Sequence, residues 1–207
     1  KEHFKKVYTA NDGIEALQKV KTYQPDIVVS DVMMPRMNGY ELCKLIKENI
    51  DISHIPVILL TARDDEQSQL QGYKIGADAY LIKPFEEEML LELIRNRLRN
   101  REKTKSLYRS AGLLPQPEES TFSQTDENFL LKLNTLINEN LCESALDINF
   151  LCNKMCMSRS TLYNKLKALT DMGANDYINK IKMEKAKELI ITSDLSFMTI
   201  AEQTGFT

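Results

Sequence analysis

The chain has 207 residues, of which 43% are hydrophobic and 28% are charged, and its formal net charge is −3. This composition suits one or two ordinary globular cores. No apolar run approaches the ~20 residues that span a bilayer, and no signal peptide opens the chain, so the sequence predicts no membrane contact for this stretch.

Three apolar segments in the first half have the pattern of buried parallel strands, and each ends in a polar side chain. Ligands of open α/β sheets gather at the carboxyl ends of such strands. An acid, a hydroxyl and an ammonium group there would form a site for a transferable phosphoryl group, which the acid accepts while the other two bind its oxygens. The segments and the residues that end them are 26–31 with Asp31, 57–60 with Thr61, and 79–82 with Lys83.

Several motifs surround these strand ends in a fixed order. They are Ala10–Leu17 (Ala-Asn-Asp-Gly-Ile-Glu-Ala-Leu), Asp31–Gly39 (Asp-Val-Met-Met-Pro-Arg-Met-Asn-Gly), Leu60–Ala62, Gly76–Tyr80 and Lys83–Phe85. Together they resemble the receiver domain of bacterial two-component response regulators. The resemblance implies a flavodoxin-like, doubly wound α/β fold with Asp31 as phosphoacceptor, Thr61 as switch hydroxyl and Lys83 as cationic partner. It also implies Tyr80 as switch aromatic and a cis Lys83–Pro84 bond.

The start of the chain departs from the receiver pattern. Lys1 stands just ahead of Val7–Thr9, which resembles the second strand of a receiver. We therefore expect the first strand and helix to be missing, together with the acidic pair that holds Mg²⁺ in this family. Asp31 remains as a metal ligand, but we expect a complete receiver to hold Mg²⁺ and this chain not to hold it.

Composition also marks a domain boundary. Residues 86–101 have the apolar spacing of an amphipathic last receiver helix, with arginines collected toward its C-terminal end. Residues 110–123 contain glycine, prolines and glutamates with little periodicity, as in a linker. The sequence thus predicts a receiver over 1–105, a linker over 106–123 and a helical domain over 124–207.

The helical domain contains a helix-turn-helix pattern. Helices are predicted at 126–138, 148–155, 158–169, 176–191 and 199–204, and Ser158 would cap the third of these. Residues 154–187 carry eight lysines and arginines against three acidic residues, a basic patch typical of a polyanion partner. We predict DNA contacts from the third helix, with Arg159, Ser160 and Asn164 nearer base edges and Lys165 and Lys167 nearer phosphates; Tyr163 shares its outer face.

This half resembles the DNA-binding domain of the AraC-type (arabinose-regulator-like) transcription factors, which carries two helix-turn-helix units. The matching segments are 157–170, 177–186 and 200–206. By this resemblance the second recognition helix would begin after Thr207, and we expect this chain to lack it.

Four cysteines suit a reducing cytosol rather than a disulfide scaffold. Cys152 and Cys156 could face one another on a helix as zinc ligands, but the histidines, His3 and His54, lie in the other domain. We therefore favour buried thiols in a helical core over a zinc site.

The two resemblances imply a cytoplasmic response regulator. A histidine kinase would phosphorylate Asp31, and phosphorylation would control homodimerisation and DNA binding. Such a pairing of domains can also form the output end of a hybrid, membrane-anchored sensor kinase, and no small-molecule substrate is expected. Two alternatives stay open. The chain could be a relay or interaction module that does not bind DNA, or an aspartyl phosphatase, although Met33 stands where the second Asp of that class is expected.

Overall fold

The computed structural model describes residues 4–62, 75–111, 122–143 and 146–206. These residues divide into two compact units. The first holds the described residues up to Glu102 together with Phe122–Thr125, and the second holds the rest. No helix in the described ranges is long and apolar enough to cross a membrane.

The first unit is built on a parallel three-stranded sheet. Its elements are α1 (Gly13–Tyr23), β1 (Val28–Asp31), α2 (Gly39–Glu48), β2 (Val57–Ala62), β3 (Ala79–Lys83) and α3 (Glu87–Ala111), the last continuing into the second unit. The strands are paired in the order β1-β2-β3, with Asp31 opposite Leu60 and Ala62 opposite Lys83. All three strands therefore end at the same edge of the sheet.

Helices cover both faces of the sheet because side chains alternate along each strand. Val57 and Leu59 of β2 pack in one core with residues of α1 and α2. Ile58 packs in a second core with Ile94 of α3. This arrangement confirms the predicted doubly wound, flavodoxin-like α/β fold.

A buried ion pair fixes the start of β2. The Nζ atom of Lys47, on α2, lies 2.7 Å from Oδ2 of Asp78. The same Nζ donates a hydrogen bond to the carbonyl oxygen of Ile55 at 3.0 Å. Asp78 Oδ2 also accepts a hydrogen bond from the backbone N–H of Val57 at 2.7 Å. Since Asp78 directly precedes β3, this network sets the relative position of two strands whose far ends carry candidate site residues.

Two segments have a secondary structure that differs from the prediction. Val7–Thr9 do not form a strand, because a strand needs a neighbouring backbone to pair with and none of the described residues supplies one; the ring of Tyr8 instead stacks on Tyr23 at 4.3 Å. Helix α3 extends through residues 106–111, which were predicted as linker. Neither glycine nor proline, the residues least favourable in a helix, occurs between Glu87 and Gly112. Residues 112–121 of the predicted linker lie outside the described residues.

The second unit consists of helices, as predicted, and their limits agree with the predicted ones within a few residues. They are α4 (Gln124–Glu139), α5 (Ile148–Met155), α6 (Arg159–Thr170), α7 (Ala174–Thr192) and α8 (Phe197–Thr204). Helix α5 ends at Cys156 in a left-handed conformation (φ 54°), and Ser158 Oγ accepts the backbone N–H of Thr161 at 3.0 Å to begin α6. Leu162, Leu166 and Leu169 form the buried side of α6, so α5 and α6 make the predicted helix-turn-helix.

Candidate phosphoacceptor site and nucleic-acid interface

Asp31 and Lys83 meet at the carboxyl edge of the sheet. Lys83 Nζ donates a hydrogen bond to Asp31 Oδ2, and the backbone N–H of Met33 donates to Asp31 Oδ1 at 3.1 Å. Burial alone would raise the pKa of Asp31, but the bonds from Lys83 and Met33 outweigh it and hold the pKa below its ordinary value. The carboxylate is therefore ionised at neutral pH, which is the nucleophilic form. The Lys83–Pro84 peptide bond is cis, as predicted.

Thr61 lies one residue beyond the strand partner of Asp31. Its side chain is 1% exposed, and its hydroxyl donates to the carbonyl oxygen of Ala62 at 3.3 Å rather than to Asp31. Tyr80 of β3 is half-buried and packs against the core shared with α1 and α2. Lys83 thus contacts Asp31 directly, and Thr61 lies near the end of β2, the strand between them. Tyr80 lies three residues before Lys83 on the same strand.

The loop after Asp31 is held by Arg36 and Asp12, for which no role is predicted from the sequence. Arg36 has a left-handed backbone (φ 63°), and its guanidinium pairs with the carboxylate of Asp12. Asp12 also caps α1 through the backbone N–H groups of Ile14 and Glu15. Arg36 and the N–H of Glu15 hold the pKa of Asp12 below its ordinary value. The Asp12-Gly13 pair in the sequence indicates the cap of α1, but no sequence pattern indicates that Arg36 pairs with Asp12.

Gly39 closes this loop against Asp31. Its N–H donates to the carbonyl oxygen of Val32 at 2.9 Å. A Cβ at position 39 would overlap the carbonyl oxygen of Asp31 and lie 2.9 Å from Cα of Val32. Glycine is therefore required here by close approach of two backbone segments.

The fold family implies Mg²⁺ at this edge, and the described residues do not fit it. Both oxygens of Asp31 already accept hydrogen bonds. No group of three or more His, Cys, Asp or Glu residues in the described ranges is placed to hold a metal ion. Mg²⁺ requires near-octahedral oxygen ligands. No chemical step is therefore assigned to it.

Helix α6 presents a polar face to solvent. Of the six residues predicted to contact DNA, five are exposed on this helix: Arg159, Ser160, Tyr163, Asn164 and Lys167. They follow the three- and four-residue spacing of one helix face and suit contacts to a nucleic acid.

The sixth prediction, Lys165 as a phosphate contact, is wrong. Its side chain is fully buried and its Nζ pairs with the equally buried carboxylate of Asp126 on α4. The helical spacing offered a signal, because Lys165 follows Leu162 by three residues and precedes Leu169 by four, which places it on the buried side. An ammonium there has to be paired, and its partner is 39 residues away in sequence.

Arg159 is engaged by the preceding helix. Its Nε donates to Asn149 Oδ1 at 2.8 Å and its Nη2 donates to the same oxygen. Asn149 Nδ2 in turn donates to Asp147 Oδ2 at 3.1 Å, and Asp147 caps α5 through the N–H of Phe150. This chain of hydrogen bonds ties the start of α6 to the start of α5.

The two cysteines considered as zinc ligands have different environments. Cys152 is buried in the helical core, as predicted. Cys156 is exposed, contrary to prediction, because it occupies the left-handed position that ends α5.

Each of the two units contains a segment that matches a known protein family. Residues 1–95 match the response regulator receiver domain, and residues 151–207 match a helix-turn-helix domain of the AraC type.

Individual relatives extend this result. Over 204 residues the chain is 36% identical to histidine kinase P4 of Formosa agariphila, a match that covers 99% of this chain and 15% of that protein. Response regulator MprA of Mycobacterium leprae is 47% identical over 93 residues, 45% of this chain and 40% of the relative. The chain therefore spans less than half the length of either protein.

A solved receiver domain, that of a signal transduction histidine kinase from Syntrophus aciditrophicus, is 33% identical and aligns with a TM-score of 0.47 over 50% of this chain and 78% of its own. From the family matches and the two units of the fold, we conclude that the chain consists of a response regulator receiver domain followed by an AraC-type helix-turn-helix domain.

Proposed function

We propose that this chain is the receiver and output part of a two-component transcription regulator. Phosphorylation of Asp31 by a histidine kinase controls dimerisation and sequence-specific DNA binding. The single observation that carries the proposal is the Asp31–Lys83 pair at the carboxyl edge of the sheet, in a chain whose other unit exposes a polar recognition helix. Histidine kinase and DNA are the partners of this function, which belongs in the cytoplasm.

The chemical step is a phosphoryl transfer to a carboxylate. An Asp31 oxygen attacks the phosphorus of a phosphohistidine, the new O–P bond forms as the N–P bond breaks, and the released imidazole takes up a proton. Catalysis of this reaction is largely positioning and charge stabilisation. The Lys83 ammonium neutralises charge on the transferred oxygens, and the Thr61 hydroxyl turns from Ala62 to bind one of them.

Switching follows from this new bond. When Thr61 moves toward the phosphoryl group, space opens near Tyr80, and Tyr80 turns inward. The surface around β3 and α3 then changes and favours a homodimer. Two helix-turn-helix units held together bind DNA more tightly through effective concentration.

A phosphodonor experiment tests the proposal. The full-length protein is incubated with ³²P-labelled acetyl phosphate and Mg²⁺, and its binding to duplex DNA is then measured. We expect hydroxylamine-labile label on Asp31 and tighter DNA binding after labelling. Asp31→Asn is the matched control, since it keeps the shape of the side chain and removes the nucleophile. The proposal is contradicted if Asp31→Asn is still labelled, or if phosphorylation leaves the affinity for DNA unchanged.

A more specific proposal is that the chain is the output end of a hybrid histidine kinase. The supporting observation is that a protein named histidine kinase matches nearly the whole chain, across both units. The open reading frame upstream of Lys1 decides between this and a free regulator. A kinase domain in the same reading frame supports the hybrid, and a short receiver start preceded by a stop codon contradicts it.

A further inference from the structure

The exposed residues of α6 differ in whether their polar groups are already engaged. Arg159 donates to Asn149, Ser160 shares a hydrogen bond with Ser158 at 2.9 Å, and Lys167 contacts Asp171 at 3.0 Å. Tyr163 and Asn164 have no hydrogen-bond partner among the described residues, and both are exposed. They are therefore the two exposed polar side chains on this face with no polar atom already engaged by another described residue.

The rotation of α6 that exposes these two residues is fixed from its other side. Leu162, Leu166 and Leu169 pack inward, and between them Lys165 is tied to Asp126. Turning the helix about its axis would withdraw the Lys165 ammonium from the buried carboxylate of Asp126, which is costly. Asn164, the neighbour of Lys165, is thereby held on the outward side.

The side chain of Asn164 has the chemistry to recognise one particular base. Its carboxamide presents one acceptor oxygen and an NH₂ donor group side by side. Adenine presents the complementary pair in the major groove, the N6 donor and the N7 acceptor. Guanine presents two acceptors there, so it would set an acceptor against the Asn164 oxygen, and cytosine or thymine would satisfy one half of the amide.

Tyr163 fits an adjacent A·T pair. Its side chain is 48% exposed and offers an aromatic ring one residue before Asn164. Apolar contact with the thymine methyl group is the major-groove interaction open to such a ring. The guanidinium on the same face, that of Arg159, has its Nε–Nη2 edge occupied by Asn149 and is thus not preset for guanine.

We propose that Asn164 is the specificity-determining residue of α6 and that it recognises an adenine in the major groove, with Tyr163 against a neighbouring thymine methyl. This inference rests on the proposed DNA-binding function and names the base that the interface selects.

The test is a base-by-base measurement with the full-length protein. Preferred sequences are selected from a randomised duplex library for wild type, Asn164→Ala and Asn164→Arg. Asn175→Ala, an exposed asparagine in the first turn of α7, is the matched control. Binding of each variant to the selected duplex is then compared with binding to the same duplex carrying 7-deazaadenine at the affected position, which lacks the N7 acceptor.

We expect wild type to prefer adenine at one position by about 5- to 150-fold, the range for one bidentate contact. Asn164→Ala should lose that preference and keep the others, and Asn164→Arg should move it toward guanine. The 7-deaza substitution should weaken wild type and Asn175→Ala but leave Asn164→Ala unchanged.

Two failures are distinguishable. If wild type selects a sequence but Asn164→Ala alters no position, or alters a position that prefers another base, the assignment of Asn164 is overturned while the DNA-binding function stands. If wild type binds every duplex alike, the proposed function is contradicted and this inference falls with it.

Discussion

Lys165 of the recognition helix α6 and Asp126 of α4 form an ion pair whose side chains are both fully buried. Buried charges are tolerated only when they are paired, and removing one partner leaves the other charge uncompensated. The pair joins the first turn of α4 to the inner side of α6, the helix that we propose reads DNA. It is a link between two elements that are remote in sequence.

Breaking this pair should be costly. We expect Lys165→Met to destabilise the helical unit by about 3 to 5 kcal/mol, because it leaves the Asp126 carboxylate buried without its ammonium partner. The double variant Asp126→Leu/Lys165→Met should recover much of the loss, since an apolar pair of similar volume needs no compensation. Urea unfolding followed by circular dichroism measures both values.

Lys167→Met is the matched control for this experiment, as it removes an exposed lysine from the same helix. Its contact with Asp171 is on the surface, and the change should stay within about 0.5 kcal/mol. Equal effects of the Lys165 and Lys167 changes would contradict the role of the buried pair.

The Asp31–Lys83 pair should be visible in a titration. The pKa of Asp31 lies below its ordinary value in the folded chain. The pair therefore contributes stability above the unfolded-chain pKa of ~3.9, and this contribution is lost as the pH falls through the lower folded-state value. Lys83→Met should raise the pKa of Asp31, because burial then acts without the ammonium. Carbon-13 NMR of the Asp31 carboxyl group measures it, and Lys44→Met, an exposed lysine elsewhere, should leave it unchanged.

Gly39 should not tolerate a side chain. We expect Gly39→Ala to destabilise the receiver unit by about 1 to 3 kcal/mol, since the added methyl group must displace the backbone at Asp31 and Val32. Phosphorylation of Asp31 should slow in parallel. Gly173→Ala is a suitable control, because the nearest atom to its Cβ is a side-chain oxygen of Asp176 at 3.3 Å, which can move away. A Gly39→Ala protein with wild-type unfolding and labelling would show that the loop can shift freely.

The four cysteines should react in two classes. Burial raises the pKa of the Cys43 thiol to about 12, so the thiol stays protonated at neutral pH. Reagents in solution also cannot reach it. Cys152 is buried as well, whereas Cys142 and Cys156 are exposed. Iodoacetamide at pH 7.5, followed by peptide mass spectrometry, should label the exposed pair within minutes and the buried pair after unfolding in urea. Rapid labelling of Cys43 in the native protein would mean that its core is open.

The strand-end positions of Asp31, Thr61 and Lys83 could be predicted because local pattern defines them. Asp31, Thr61 and Lys83 each follow an apolar run, and parallel strands necessarily bring their ends to one edge. The ion pairs between residues remote in sequence could not be predicted. No local sequence pattern indicates that Asp12 pairs with Arg36 or that Asp126 pairs with Lys165. The strand predicted at Val7–Thr9 is not observed for a related reason. An apolar segment forms a strand only where another backbone lies beside it to pair with. The charge of Lys165 suggested a surface position, although its place among Leu162, Leu166 and Leu169 pointed inward.

The last prediction concerns Arg159, which the sequence places nearer the base edges. Since its Nε and Nη2 are bound to Asn149, we expect Arg159 to brace α5 against α6 and to meet phosphate through Nη1. Arg159→Ala should then weaken binding to specific and scrambled duplexes by similar factors.

Asn149→Ala separates the two parts of this role. It removes the brace without removing charge, so it should weaken binding somewhat while leaving the salt dependence unchanged. Lys167→Ala should lower the slope of log affinity against log salt concentration by about 1 and leave base preference intact. Fluorescence anisotropy of the full-length protein on both duplexes across a salt series measures these quantities. If Arg159→Ala instead abolishes preference for a guanine at one position, Arg159 leaves Asn149 on binding and reads a base directly.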